Sequence, residues 1–216
     1  MAEVCASLLA ANLGYLIRDL KIAEREEIKR FHLDVCDKHN TEKIIFGDQL
    51  IRDFHCKTDS LLEVYLAVLN LTDITRTFME SGTDIISIQF ETAHFPSRLI
   101  KEIRAAGISP GISIIPATGF HQIEFVLEKP DLIKYLAVDP EIGSQEFNPR
   151  ILGEKEKTVD FIKRKGLIIK DSVDGGVYLS NLRNVLNVYV DIVTIVLIVF
   201  REILPRIFPK NKIMNC

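Results

Sequence analysis

Apolar positions along this chain follow two alternating periods. Short Val-, Ile- and Leu-rich runs with strand character are separated by charged stretches whose apolar residues recur at helical spacing. The runs predict strands over Val4–Leu9, Phe31–Cys36, Leu61–Val68, Ile85–Phe90, Gly111–Ile115, Leu132–Val138, Leu167–Val173 and Ile192–Val196. The stretches between them predict helices, among them Leu13–Lys29, Ile74–Ser81, Ser97–Ala106, His121–Glu128 and Pro149–Lys165. Glycines in SGTD, AAGI and RKGL punctuate the returns from helix to strand, as left-handed C-caps do. Eight strand candidates in 216 residues give one β-α unit per 27 residues, the spacing of a compact (β/α)8 or TIM barrel of the α/β class. An open, doubly wound sheet also fits the alternation, but its Gly-rich first turn is missing: neither GxGxxG nor GxxxxGK[ST] occurs. With no linker or low-complexity tract in sight, residues 1–216 read as a single barrel domain.

Composition narrows the function classes. A net charge of -3, with Lys and Arg interrupted throughout by Asp and Glu, excludes a general nucleic-acid surface. Four cysteines, at 5, 36, 56 and 216, form no CxxC pair or zinc-finger spacing. The N-terminal MAEVCASLLAANLG lacks the basic and apolar regions of a secretory signal, so a reducing, cytoplasmic setting is the expectation. The apolar run VLNVYVDIVTIVLIVF, 185–200, is interrupted by Asn187 and Asp191 and dominated by β-branched residues. It reads as a buried strand more readily than as a membrane span, which needs roughly 18 or more apolar residues. Arg201, Arg206, Lys210 and Lys212 after it leave a membrane-associated tail as the other reading.

In a barrel, chemistry gathers where strands end at the C-terminal face. His32, Asp34 and Asp37 on the second strand, Tyr65 on the third, Glu91 after the fourth, Asp139 after the sixth and Asp174 after the seventh fall there, and Ser7 lies on the first. His32 and Asp34 are two apart, so they share a face with Cys36, while Phe31, Leu33 and Val35 face the helices. An imidazole and a carboxylate side by side in a barrel interior are costly unless they bind something, usually a metal or a substrate. A hydrogen-bonded polar plug is the bland account of the same pair. Asp174 opens DGG, where Gly175 and Gly176 free backbone N–H groups to approach an anion ahead of a helix. A plain strand-to-helix turn explains that motif as well. His39, His55, His94 and His121 read as surface residues.

The blocks CASLLAANLG, FHLDVCDKH, LEVYLAV, ESGTDIISIQFET, IIPAT, VDPEIGSQEFNP and VDGGV fall in the order and spacing of the ribulose-phosphate 3-epimerase family. The chain resembles that family over roughly residues 5–200, and FET with the following IKEIR is similar to its allulose-6-phosphate 3-epimerase branch. The resemblance implies a TIM barrel that inverts the carbon next to the ketone of a phosphorylated ketose. It implies Asp34 and Asp174 as the acid/base pair on opposite faces of the sugar. It implies His32, Asp34 and Asp174 as three of four ligands to a divalent metal (Zn, Mn, Fe or Co) that neutralises the enediolate. Ser7 matches a substrate-contacting serine; Gly143, Ser144, Gly175 and Gly176 match parts of a phosphate grip. A homo-oligomer is expected, with no nucleic-acid partner.

This sequence departs from the family pattern mainly at the site. The fourth ligand, a histidine, is Tyr65, and Glu63 shares its face but belongs one barrel layer deeper. The methionines lining the family's enediolate pocket read as Cys36, Ala67 and Leu136. The glycine of the second block is Lys38, and the Gly-Ser of strand eight is Val196-Leu197, where a branched side chain would crowd a phosphate. Two readings stand: an epimerase or isomerase with altered metal use, and a non-catalytic member that binds a sugar phosphate or a partner.

Overall fold

The computed structural model describes residues 2–9, 11–139 and 146–196. Eight parallel strands close on themselves: β1 (Glu3–Ser7), β2 (Arg30–Asp37), β4 (Leu61–Ala67), β5 (Ile85–Gln89), β6 (Ser109–Ile114), β7 (Leu132–Leu136), β8 (Lys170–Asp174) and β9 (Ile192–Val196). The order β1-β9-β8-β7-β6-β5-β4-β2, completed by β1–β2 pairing, is that of a TIM barrel. A two-residue strand, β3 (Ile44–Ile45), pairs antiparallel with Cys36 and Asp37 at the barrel mouth. The outer layer holds α1 (Leu16–Arg25), α2 (Asp48–His55), α3 (Leu71–Met79), α4 (Pro96–Ala105), α5 (Phe120–Ile123), α6 (Arg150–Lys165) and α7 (Leu179–Asn187).

Each strand sorts its residues by parity. On β2, Phe31, Leu33 and Val35 join the main core between barrel and helices, which also takes Leu16, Leu20 and Ala23 of α1 and Leu99, Ile100 and Ile103 of α4. The opposite parity faces the barrel axis. Its floor is apolar, made of Cys5, Ile85, Leu132 and Ile192. Above that floor the interior is polar and charged.

Several boundaries differ from those the pattern predicts. The seventh barrel strand, β8, starts at Lys170, not Leu167, because Gly166 (φ 63°) ends α6 in the left-handed conformation and Ile168 then lies 97% exposed. Helix α2 was not predicted; Ile51 and Phe54 bury one narrow face among charged neighbours, too brief a period to stand out. Helix α1 stops at Arg25, where the apolar repeat ends, rather than at Lys29. Residues 192–196 of the apolar C-terminal run are a barrel strand, and no helix among the described residues is long and apolar enough to cross a membrane. The basic positions after that run lie outside the described residues.

Candidate active site

The register of β2 stacks the predicted residues. His32 is opposite Ser7 of β1 and Glu63 of β4, and Asp34 is opposite Tyr65 one layer higher. On the far side of β1 and β9, Asp174 closes β8. His32, Asp34 and Asp174 come together. The wholly buried imidazole places Nε2 3.3 Å from Asp34 Oδ1 and 3.2 Å from Asp174 Oδ2, while Nδ1 lies 3.4 Å from Glu63 Oε1. Ser7 joins them, its hydroxyl donating to Asp34 Oδ2 at 3.4 Å. Both aspartates keep a fraction of their surface open to the mouth, 16% for Asp34 and 13% for Asp174.

Charge governs this cluster. Burial and Lys134 push the His32 pKa down, but Asp34 and Asp174 outweigh them and raise it to about 9. Burial pushes the Asp34 carboxyl up, and His32 and its hydrogen bond more than reverse that, so the carboxyl titrates below its usual range. Below the imidazole lies a pair that sequence reasoning only half found. Lys134 of β7, fully buried, sets its ammonium 2.8 Å from Glu63 Oε1, 3.4 Å from Asp174 Oδ2 and 3.1 Å from Thr194 Oγ1. Arg30 Nη1 meets the other Glu63 oxygen at 3.0 Å and its Nε meets Glu3 at 2.9 Å. Burial opposes every one of these charges. Even so, Glu63 is held well below the usual carboxylate range by Lys134 and His32, and Lys134 above the usual lysine range by Glu63 and Asp174. Glu63 lies one layer deeper than Tyr65, as its position predicts. Lys134 was missed, although a signal existed: it alternates with Leu132 and Leu136 on the inward parity of an otherwise apolar strand.

Tyr65 does not take the place of a fourth ligand. Its ring stacks over His32 at 6.1 Å between centroids, and its hydroxyl donates to Gln89 Oε1. Burial, then Asp34 and Glu91, raise the phenol well above its ordinary pKa, so it stays neutral. Gln89 continues to Glu91, which accepts from the Ile115 N–H and the Thr118 hydroxyl, a network tied to the mouth rather than to the aspartates. Members of the family that the sequence resembles generally depend on a divalent metal. Here, among the described residues, no group of three or more His, Cys, Asp or Glu side chains is arranged to hold one. The donor types His32, Asp34 and Asp174 suit such an ion, but Tyr65 turns away and an ammonium already lies against Asp174. The donor set therefore does not fit a divalent metal.

Around the mouth, Cys36, Ala67 and Leu136 gather with Tyr65 in one small apolar cluster. Gly175 (φ 90°) and Gly176 (φ 61°) both adopt backbone conformations that favour glycine. Gly175 has a packing reason too: a Cβ there would meet Val138 Cγ2 at 2.6 Å. Val196 pairs with Ser7 and is half-buried at the rim. Lys38, standing where the family pattern has glycine, keeps φ at 64°, so the loop retains a glycine-type turn with a lysine in it. Asp37 serves that loop, accepting from the His39, Asn40 and Leu69 N–H groups. Gly143 and Ser144 lie outside the described residues.

Comparison with known proteins agrees with this architecture. The phosphoribosyl anthranilate isomerase of Thermus thermophilus superimposes with a TM-score of 0.67 at 12% identity, covering 96% of this chain and 98% of that one. A tryptophan synthase α-subunit from Pyrococcus furiosus gives 0.62 at 13% identity, over 90% and 86%. Both show the barrel alone. In sequence, the ribulose-phosphate 3-epimerase of Treponema pallidum is 30% identical over 187 residues, 87% of this chain and 86% of that protein. The enzymes of that name from Methanocaldococcus jannaschii and Bacillus subtilis are each 30% identical, over 177 and 180 residues; each alignment covers 82% of this chain, and 75% and 82% of those proteins. The model of the ribulose-phosphate 3 epimerase family matches residues 3–200. With strand-end acids converging in a closed barrel and a match across nearly the whole chain, the protein belongs to the ribulose-phosphate 3-epimerase family and is a carbohydrate epimerase.

Proposed function

We propose that this protein inverts C3 of a phosphorylated pentulose or hexulose, with Asp34 and Asp174 exchanging protons with opposite faces of the sugar. The observation that carries the reading is the placement of these two carboxylates, from strands on either side of β1 and β9, against one imidazole nitrogen at 3.3 and 3.2 Å. C3 lies next to the ketone at C2, so removing its proton leaves an enediolate with charge on oxygen. One aspartate accepts that proton; the other, as the acid, returns a proton from the opposite side, and the two have exchanged states when the epimer leaves. His32 stays cationic between them and keeps two nearby acids from repelling each other. No step is assigned to a metal, because the donor set does not fit one.

Ser7 and the N–H groups of Gly175 and Gly176 are proposed to contact the substrate, together with Gly143 and Ser144. What supports Gly175 and Gly176 is their positive φ directly after Asp174, a backbone conformation suited to an anion-binding nest. Cys36, Ala67 and Leu136 form the apolar wall against which the enediolate would be shielded from water.

Incubating the protein with ribulose 5-phosphate or allulose 6-phosphate in deuterated water should place deuterium at C3, with the better substrate giving the ketose length. Asp34→Asn and Asp174→Asn should each slow the exchange by about 10²–10⁴-fold. Binding of ketose phosphates without exchange, with divalent metals supplied, overturns the reading.

A further inference from the structure

Lys134 is a buried charge of the barrel interior that touches Asp174 and that proton exchange alone leaves without a task. We propose that it is the built-in cation of the site, a positioning residue whose ammonium under Asp174 takes the charge-balancing part of a divalent metal, so that C3 exchange proceeds without one. This rests on the epimerase reading and deepens it.

Four observations carry the inference. Lys134 is wholly buried and its three N–H donors face three acceptors, Glu63, Asp174 and Thr194, so the ammonium is fixed rather than adaptable. Glu63 is shared between Lys134 at 2.8 Å and Arg30 at 3.0 Å, and the Lys134 ammonium extends its charge past that pair to Asp174 at 3.4 Å. The Asp174 oxygen nearest the ammonium, Oδ2 at 3.4 Å, is also the one facing His32. A metal bound to that oxygen at about 2.1 Å would sit within about 5.5 Å of the ammonium, a like-charge contact inside a low-dielectric interior. Finally, Tyr65 has its hydroxyl committed to Gln89 and adds no ligand.

A plug role explains less. Leu132 and Leu136, on the same inward row, show that apolar side chains fill this strand's interior positions. An apolar residue at 134 would fill the space without the desolvation that a buried lysine and glutamate demand. The preorganised positive charge instead lies beneath the carboxylate that must alternate between ionised and protonated forms while an enediolate develops above it.

The test uses the whole protein and ribulose 5-phosphate in deuterated water, before and after exhaustive chelation checked by elemental analysis. Wild type should keep its C3 exchange within about twofold and take up no stoichiometric zinc in competition with a chromophoric chelator. Lys134→Met should lose about 100-fold in kcat with little change in KM, and added zinc or manganese should restore part of it. Glu63→Gln/Lys134→Met, which leaves Arg30 an acceptor, gives the same readings should the single variant fold poorly. Wild-type exchange that is abolished by chelation and restored by zinc or manganese overturns the assignment while leaving the epimerase reading intact. A folded Lys134→Met with wild-type kcat overturns it as well. Absence of exchange in every condition defeats the epimerase reading and this assignment with it.

Discussion

Two lysines with fully buried ammonium groups, Lys134 in the barrel interior and Lys155 between barrel and helices, answer the same physical problem differently. Lys155 of α6 places its ammonium 2.5 Å from Asp171 of β8 and within 3.0 and 3.4 Å of the Val188 and Tyr189 carbonyls. Asp171 in turn accepts from the Asp191 N–H at 2.7 Å, and Asp191 accepts from the Asp171 N–H at 3.0 Å. The carboxylate partner, Asp171, is buried, and the two carbonyls belong to the turn after α7, so the charge ties a helix, a strand and that turn together. Lys134 has one partner, Glu63, equally enclosed, and a second, Asp174, whose carboxylate opens on the mouth. A buried charge whose carboxylate partner is sealed holds the fold, whereas one whose carboxylate partner reaches the mouth can act on what binds there.

The largest expected effect separates the two directly. Lys155→Met should cost about 3–5 kcal/mol, the usual result of orphaning one member of a buried pair, and should leave kcat of the folded protein within about twofold. Lys134→Met should cost a similar stability and, in addition, about 100-fold in kcat. Thermal unfolding and C3 deuterium exchange on both variants check this, and a folded Lys155→Met that loses activity breaks the distinction. Replacing both partners sharpens it. Lys155→Met/Asp171→Asn and Glu63→Gln/Lys134→Met should each recover stability to within about 1–2 kcal/mol of wild type, because no charge is left unpaired. Only the first pair should retain exchange.

The barrel interior should also carry a pH dependence between pH 6 and 10 that the Lys155 cluster lacks, since that cluster contains no imidazole. The folded-state pKa of His32, about 9, lies above an unfolded value near 6.5. A raised pKa means that its contribution, at most about 3 kcal/mol, is fully present below pH 6.5 and is lost as pH rises through 9. Asp34, Asp174 and Glu63 supply that contribution against the opposing Lys134 charge. Denaturant unfolding from pH 6 to 10 should show the decline, and His32→Gln should flatten it. A decline of equal size in His32→Gln assigns it to other groups.

Much of this was legible in residue order alone, for identifiable reasons. Strand parity announced His32 and Asp34 as inward neighbours because a period of two leaves no other choice once Phe31, Leu33 and Val35 are core. The eight strands and Asp174 at the close of β8 followed from the same alternation. The partnership of Lys134 with Glu63 and Asp174 was not legible, because it depends on the stagger between strands far apart in sequence, which periodicity does not encode. Asp37 was grouped with the strand-end acids but spends its carboxylate on loop N–H groups, a role set by the φ of 64° at Lys38. Helix α2 was lost because eight residues with two buried positions hardly register as a period.

The smallest effects come from two glycines, one at the end of the helix that carries Lys155 and one directly after Asp174. Gly166 ends α6, which carries Lys155; its φ is 63° and nothing lies within 4 Å of where a Cβ would stand. Gly166→Ala should therefore cost only the left-handed backbone penalty, about 1 kcal/mol, with exchange unchanged. Gly175 follows Asp174; its φ is 90° and a Cβ there would meet Val138 Cγ2 at 2.6 Å. Gly175→Ala should cost about 2 kcal/mol, the same penalty plus the displacement of a branched neighbour. Because that displacement moves the segment bearing Asp174 relative to the fixed Lys134 ammonium, exchange should fall about tenfold even where the protein remains folded. Measuring kcat and unfolding free energy for both variants tests whether carboxylate placement over the lysine, and not stability alone, sets the rate: equal activity losses in the two would say that it does not.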